Sequence, residues 1–187
     1  MDVWRLPDTL TVAGKEYKIR TDYRAIIDIL IAFNDPDLEA DEKWLTCLAI
    51  MYVDFANMPL KEYNEAARQA QLFIDMGENE KQPKKFQPRV MDWEQDAKLI
   101  IPAVNRVLNE DVRGKEYLHW WTFLSAYTEI GDCAYSQIIN LRTKKAKGKK
   151  LEKWEQEFIR ENSDIVTIKA KLSEAEKEEQ RQLEEIF

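Results

Sequence analysis

Few residues in this 187-residue chain could do chemistry. A single histidine, His119, would have to serve any general-base or nucleophile-activating role. No serine or cysteine stands in a strand-turn-helix elbow for it to activate. On a helical wheel His119 falls on the less apolar side of its segment, which reads as a structural or solvent-facing histidine. Asp92 and Asp96, one helical turn apart, could together help to hold a hard cation, and a carboxylate enzyme would have to use them. As acids in a first turn they also complement the helix dipole, which is the simpler reading. Cys47 and Cys133 each sit inside an apolar helical pattern, far apart in sequence, and read as buried free thiols of a reducing compartment. The chain carries no Gly-rich phosphate loop, CxxC pair or HExxH motif. Neither catalysis, metal nor cofactor is expected.

The elements that would position these residues are helical. With 44% hydrophobic and 34% charged residues but only five glycines and six prolines, the composition suits a helical fold better than a many-turned β fold. The length suits one domain with a mainly all-α architecture. A small N-terminal β-hairpin is expected from strand-like pieces at 10–12 and 16–19 around Ala13, Gly14 and Lys15. Helices follow at 23–33 (capped by Thr21 or Asp22), 41–56 and 60–76, the second deeply buried through Trp44, Leu45, Leu48, Tyr52 and Phe55. Residues 1–77 thus form one lobe of hairpin plus three helices. Residues 78–90, with Pro83 and Pro88 and no periodicity, read as an exposed connection.

The second lobe, 91–161, is the aromatic one. Asp92 and Gln95 resemble a capping box ahead of a stripe from Trp93 to Leu108, with Pro102 on the solvent side. Residues 115–139 should then supply the central helix, with Tyr117, Trp120, Trp121, Leu124 and Tyr127 on one side and His119, Thr122, Ala126 and Glu129 facing away. Gly131 stops it, and a further helix restarts at Cys133 with Tyr135, Ile138 and Ile139 in one stripe. The basic run 142–150, RTKKAKGKK, reads as a solvated loop, and Trp154 with Phe158 as a short amphipathic helix. Residues 162–187 form a peripheral tail, with a second capping box at Ser173 and Glu176 leading an exposed or fraying helix.

Trp120, Phe123 and Tyr127, with Trp93 or Trp44 beside them, are the candidate partner-binding residues, because large rings are preferred interface anchors. Burial within the chain is the competing reading. A net charge of -7 argues against a nucleic-acid partner. No apolar run approaches the roughly 18 residues that span a bilayer, and MDVWRLPD has neither the basic nor the apolar region of a leader. The expectation is a cytoplasmic chain with no membrane partner.

LPDTLTVAGKEYKIRTDYRAIIDIL, then MDWEQDAKLIIPAV, then KEYLHWWTFLSAYTEI before RTKKAKGKK and a W-x-x-x-F helix together resemble the phage protein family called gene product fifteen. LHWW and the preceding DWEQDA are the most specific part. The resemblance covers residues 6–161, with a weaker middle from 34 to 90, and does not reach the tail beyond 162. Tyr23 and Trp93 stand where the family more often has Phe, which keeps a ring at each position. The resemblance implies a non-catalytic tail assembly chaperone of long-tailed phages and prophages, working in the host bacterial cytoplasm. It would bind and solubilise the tape measure protein, help to recruit tail tube subunits, associate with further copies of itself, and be absent from the mature virion. The alternative is a structural tail or connector component retained in the virion.

Overall fold

The computed structural model describes residues 4–77 and 88–184. It is mainly α, with nine α-helices among the described residues and a two-stranded antiparallel hairpin. The chain divides into two compact units. Met1–Asn79 with Ala170–Phe187 form the first, and Glu80–Lys169 the second. Of the expected connection at 78–90, residues 78–87 lie outside the described part.

In the first unit, β1 (Thr9–Val12) pairs with β2 (Lys15–Lys18) through a two-residue turn, with Leu10 opposite Tyr17. Both turn residues have positive φ, 50° at Ala13 and 77° at Gly14. This turn type matches the right-handed twist of the strands and leaves the second position to glycine. Leu10, Val12 and Tyr17 are buried. Such a hairpin is marginal alone. Here Tyr17 donates a 2.8 Å hydrogen bond to Glu62, and Ile19 bridges to Tyr52.

Helix α1 (Tyr23–Phe33) starts where the Asp22 carboxylate accepts from the Arg24 amide, and buries Tyr23, Ile26 and Ile29. Helix α2 (Ala40–Met51) opens on a capping box of Glu39 and Glu42. It is shorter and less enclosed than the periodicity predicts. Tyr52 leaves the helix in extended conformation to pair with Ile19, and Leu45 is 48% exposed. Arg20 closes its end by donating to the carbonyls of Ala49, Ile50 and Tyr52, as a cation at a helix C-terminus should. Pro59 leads a single 3-10 turn into α3 (Tyr63–Ile74), where the Tyr52 hydroxyl donates to the Ala66 carbonyl. The tail begins as expected. Ser173 and Glu176 form the reciprocal cap of α9 (Glu174–Glu184), and the Glu174 amide reaches Asp37.

Both cysteines are free thiols, Cys47 buried and Cys133 half-buried. Burial pushes the Cys47 thiol up to about 12 from an ordinary value near 9. A group raised in the folded state stabilises the fold below its unfolded value and loses that contribution as pH rises through its folded one. Stability should therefore fall between about pH 9 and 12. Tyr52, raised chiefly by burial, adds to the same trend. In thiol titration of the native chain, Cys133 should react first and Cys47 only on unfolding. Equal native rates would contradict this enclosure.

The second unit is built from α4 (Ala97–Leu108), α5 (Trp120–Thr128), α6 (Ala134–Ala146), α7 (Lys153–Glu161) and α8 (Ser163–Val166). Pro102 lies inside α4 on the exposed side, as its place on the wheel predicts. The central helix is the main departure. It begins only at Trp120, so Tyr117 precedes it and is exposed, while Ala126, expected to face away, is buried. His119 explains the start: its Nδ1 accepts a 3.0 Å hydrogen bond from the Trp121 amide, and the ring is buried. The one histidine is thus a helix cap.

Candidate functional site

Of the aromatic residues expected at an interface, Trp120 and Phe123 lie in the interior of the second unit and Trp93 and Tyr127 at its margin. Trp120 and Phe123 are each 1% exposed and stack with centroids 5.9 Å apart. Trp93, half-buried in the turn before α4, lies 6.1 Å from Trp120, 6.4 Å from Phe123 and 5.1 Å from Tyr127. Tyr127 is also half-buried, and its hydroxyl shares a 2.7 Å hydrogen bond with that of Tyr135. The structure therefore brings all four residues together, but as a packed cluster. An incoming chain could reach Trp93 and Tyr127 without disturbing the fold, and neither Trp120 nor Phe123.

The second unit also holds a clamp to which no local sequence pattern points. Asp96 and Arg142 form a buried bidentate pair, Nη1 to Oδ2 at 2.7 Å and Nη2 to Oδ1 at 2.8 Å. The other three guanidinium donors go to backbone carbonyls: Nε to Val166, Nη1 to Val90 and Nη2 to Ile165. All five N–H groups are used. Arg142 thus fastens α6 to the start of α4, to α8 and to the backbone at Val90. The solvated loop expected over 142–150 is corrected here, since α6 runs on through Ala146 and Arg142 follows Tyr135 and Ile138 on the same buried stripe. Nor are Asp92 and Asp96 a vacant pair of ligands. Asp92 accepts from the Glu94 and Gln95 amides and pairs with Arg89, and Asp96 accepts from the Asp92 amide. Their oxygens are committed to folding. Among the described residues no cluster of His, Cys, Asp and Glu has metal-binding form.

Among the described residues, one exposed apolar surface in each unit bears on binding. In the first unit a groove of about 500 Å³ runs between α2 and α3. Trp44, Leu48, Tyr63 and Ala67 line it, Leu45 and Leu60 stand at its edges, and Asp41 and Glu42 form an acidic rim. Leu60 is 80% exposed. Trp44 is fixed from behind by edge-on contact with Phe33 at 4.9 Å. This volume is in the range of ligand-sized clefts, and a floor that mixes rings with aliphatic side chains suits a helix face. Trp44 and Leu48 were legible as apolar helix positions. Their assignment to a groove was not, because periodicity does not show which side of a helix lacks a neighbour.

In the second unit the amphipathic helix α7 presents its apolar side outward. Trp154 is 64% exposed and Phe158 partly exposed, Ile159 is half-buried, and Glu155 is the buried residue, while Ile165 of α8 is also partly exposed. The inversion has a cause. Glu155 accepts a 2.5 Å bond from Lys144 and another from the Glu152 amide, so the acid is held inward by a cation and a cap. The lysine beside it holds its carboxyl below the ordinary value. Exposed Lys145, Lys147, Lys149, Lys150 and Lys153 lead into this helix. Among the described residues no helix is long and apolar enough to cross a membrane.

Residues 4–168 match the family model described as Bacteriophage Gp15 protein. No curated protein and no solved structure matches the chain.

Proposed function

The chain belongs to the Bacteriophage Gp15 protein family, of phage structural or morphogenesis proteins, and on that ground we propose that it is a tail assembly chaperone for the tape measure protein. The observation that carries this reading is the α2–α3 groove, an open apolar trough with an acidic rim on an acidic protein. A long amphipathic helix exposes an apolar stripe until the tail tube encloses it, and would aggregate without a transient cover. A trough of this kind accepts residues at i, i+3, i+4 and i+7 of such a helix. The net negative charge of the chain would keep the coated client soluble. The reading places the work in the host cytoplasm and outside the finished particle.

Co-expression with the tape measure protein tests it. The client should become soluble and co-elute with many copies of this chain. Leu45→Asp with Leu60→Asp, both at exposed edges, should keep the fold by circular dichroism while weakening client binding on the order of tenfold or more, because a docked apolar helix would have to desolvate two added carboxylates. If the wild-type chain ignores the client and is found in purified particles, the chaperone reading gives way to a structural tail or connector component. If the client binds the double variant unchanged, the receiving surface lies elsewhere.

A further inference from the structure

The exposed apolar surface between α2 and α3 is a groove with acid at its mouth, and that of α7 bears exposed rings that follow a run of lysines. The α2–α3 groove is concave, its mouth is flanked by Asp41 and Glu42, and Asp35, Asp37 and Glu39 precede it in the chain. The α7 face carries Trp154 and Phe158 one turn apart, with five exposed lysines ahead of them and the exposed Glu157 and Glu161 on the same side of the helix. We propose that the chain associates head to tail, with α7 of one copy seating Trp154 and Phe158 in the α2–α3 groove of the next. The occupant is a second copy because this chain itself supplies two exposed rings and, in the lysine run ahead of them, a charge opposite to that of the groove's mouth. A tryptophan at the centre of a desolvated pocket is the commonest kind of interface anchor, and the lysine run would steer its approach to the acidic mouth.

An interface that joins two different surfaces is heterologous. It leaves one groove and one α7 face open at the ends, so it continues into a ring or a filament according to the rotation it imposes. The groove is the one offered above to the client, so the inference shares that receiving surface, but it does not require the client. If both readings hold, client and neighbouring copy compete.

The test uses the full chain alone, by size-exclusion chromatography with light scattering over a range of concentrations. Mass should rise with concentration and fall with salt, since opposite charges contribute. The groove variant, Leu45→Asp with Leu60→Asp, and the face variant, Trp154→Asp with Phe158→Asp, should each remain monomeric and folded, with the dissociation constant raised on the order of tenfold or more. Mixed together, they should form a 1:1 dimer and nothing larger, because the mixture holds one intact groove and one intact face per pair. A wild-type chain that stays monomeric at every concentration overturns the proposal. So does association that survives either variant, or a mixture that fails to pair. Client binding by a chain that never self-associates would leave the chaperone reading standing and remove only this one.

Discussion

Replacing Arg142 by Ala should destabilise the second unit by about 3 to 5 kcal/mol, the cost of stranding a buried charge. Asp96, 2% exposed, would keep its carboxylate without the guanidinium that neutralises it. The carbonyls of Val90, Ile165 and Val166 would lose their donors as well. A unit of this size loses about 4 to 8 °C per kcal/mol, so a fall of roughly 20 °C in its melting temperature is expected by circular dichroism. Buried ion pairs are often replaced by hydrophobic side chains without loss. That rescue should be incomplete here. Asp96→Leu with Arg142→Leu removes both charges, yet it leaves those three carbonyls and the Asp92 amide to find new partners. Arg142→Lys should also fall short, because one ammonium has three donors where the site uses five in a planar fork. A double-mutant cycle separates the pair from the carbonyls. A single Arg142→Ala chain that melts like the wild type would mean that the clamp contributes little.

How much of this was legible beforehand depended on whether a signal was local. The hairpin, the start of α1 at Asp22, the Ser173 cap and the exposed Pro102 were readable because each is set by neighbours within a few residues. The start of α5 was not, since a wheel drawn from 115 assumes that a helix already exists there, whereas the backbone becomes helical only after His119 caps it. That shift exposed Tyr117 and buried Ala126. Arg142 was hidden for another reason. It heads a run of lysines, and composition averaged it with them, although its spacing from Tyr135 and Ile138 puts it on the buried stripe. Its partner is 46 residues away, and no local pattern joins the two. The α7 face was readable as apolar, but its direction rests on Glu155 and Lys144, a contact between elements. Family resemblance could locate the aromatic positions, and only the fold could show which of them face inward.

The same distinction decides what mutation of the aromatic residues can reveal. Trp120→Ala should cost about 3 to 5 kcal/mol, because the indole is enclosed between Phe123 and Trp93 and its removal leaves a cavity the surrounding rings can only partly close. Phe123→Ala belongs in the same range. Trp154→Ala removes an identical side chain at a position 64% exposed, where a surface change costs about 0.5 kcal/mol or less. Thermal unfolding of the two tryptophan variants side by side should therefore separate by more than 10 °C in a unit of this size, an amount set by about 4 to 8 °C per kcal/mol. Equal melting temperatures would show that Trp120 is not a core residue. The consequence for binding is direct. A chain that loses its partner on Trp120→Ala has lost it together with the second unit's packing, so the loss does not identify a contact. Trp93 and Tyr127, half-buried at the margin of the cluster, can be judged at a temperature well below the melting point of their variants. A chain that stays folded but no longer binds after Trp154→Ala or Leu60→Asp has lost a surface, and only variants of that kind can locate the interface.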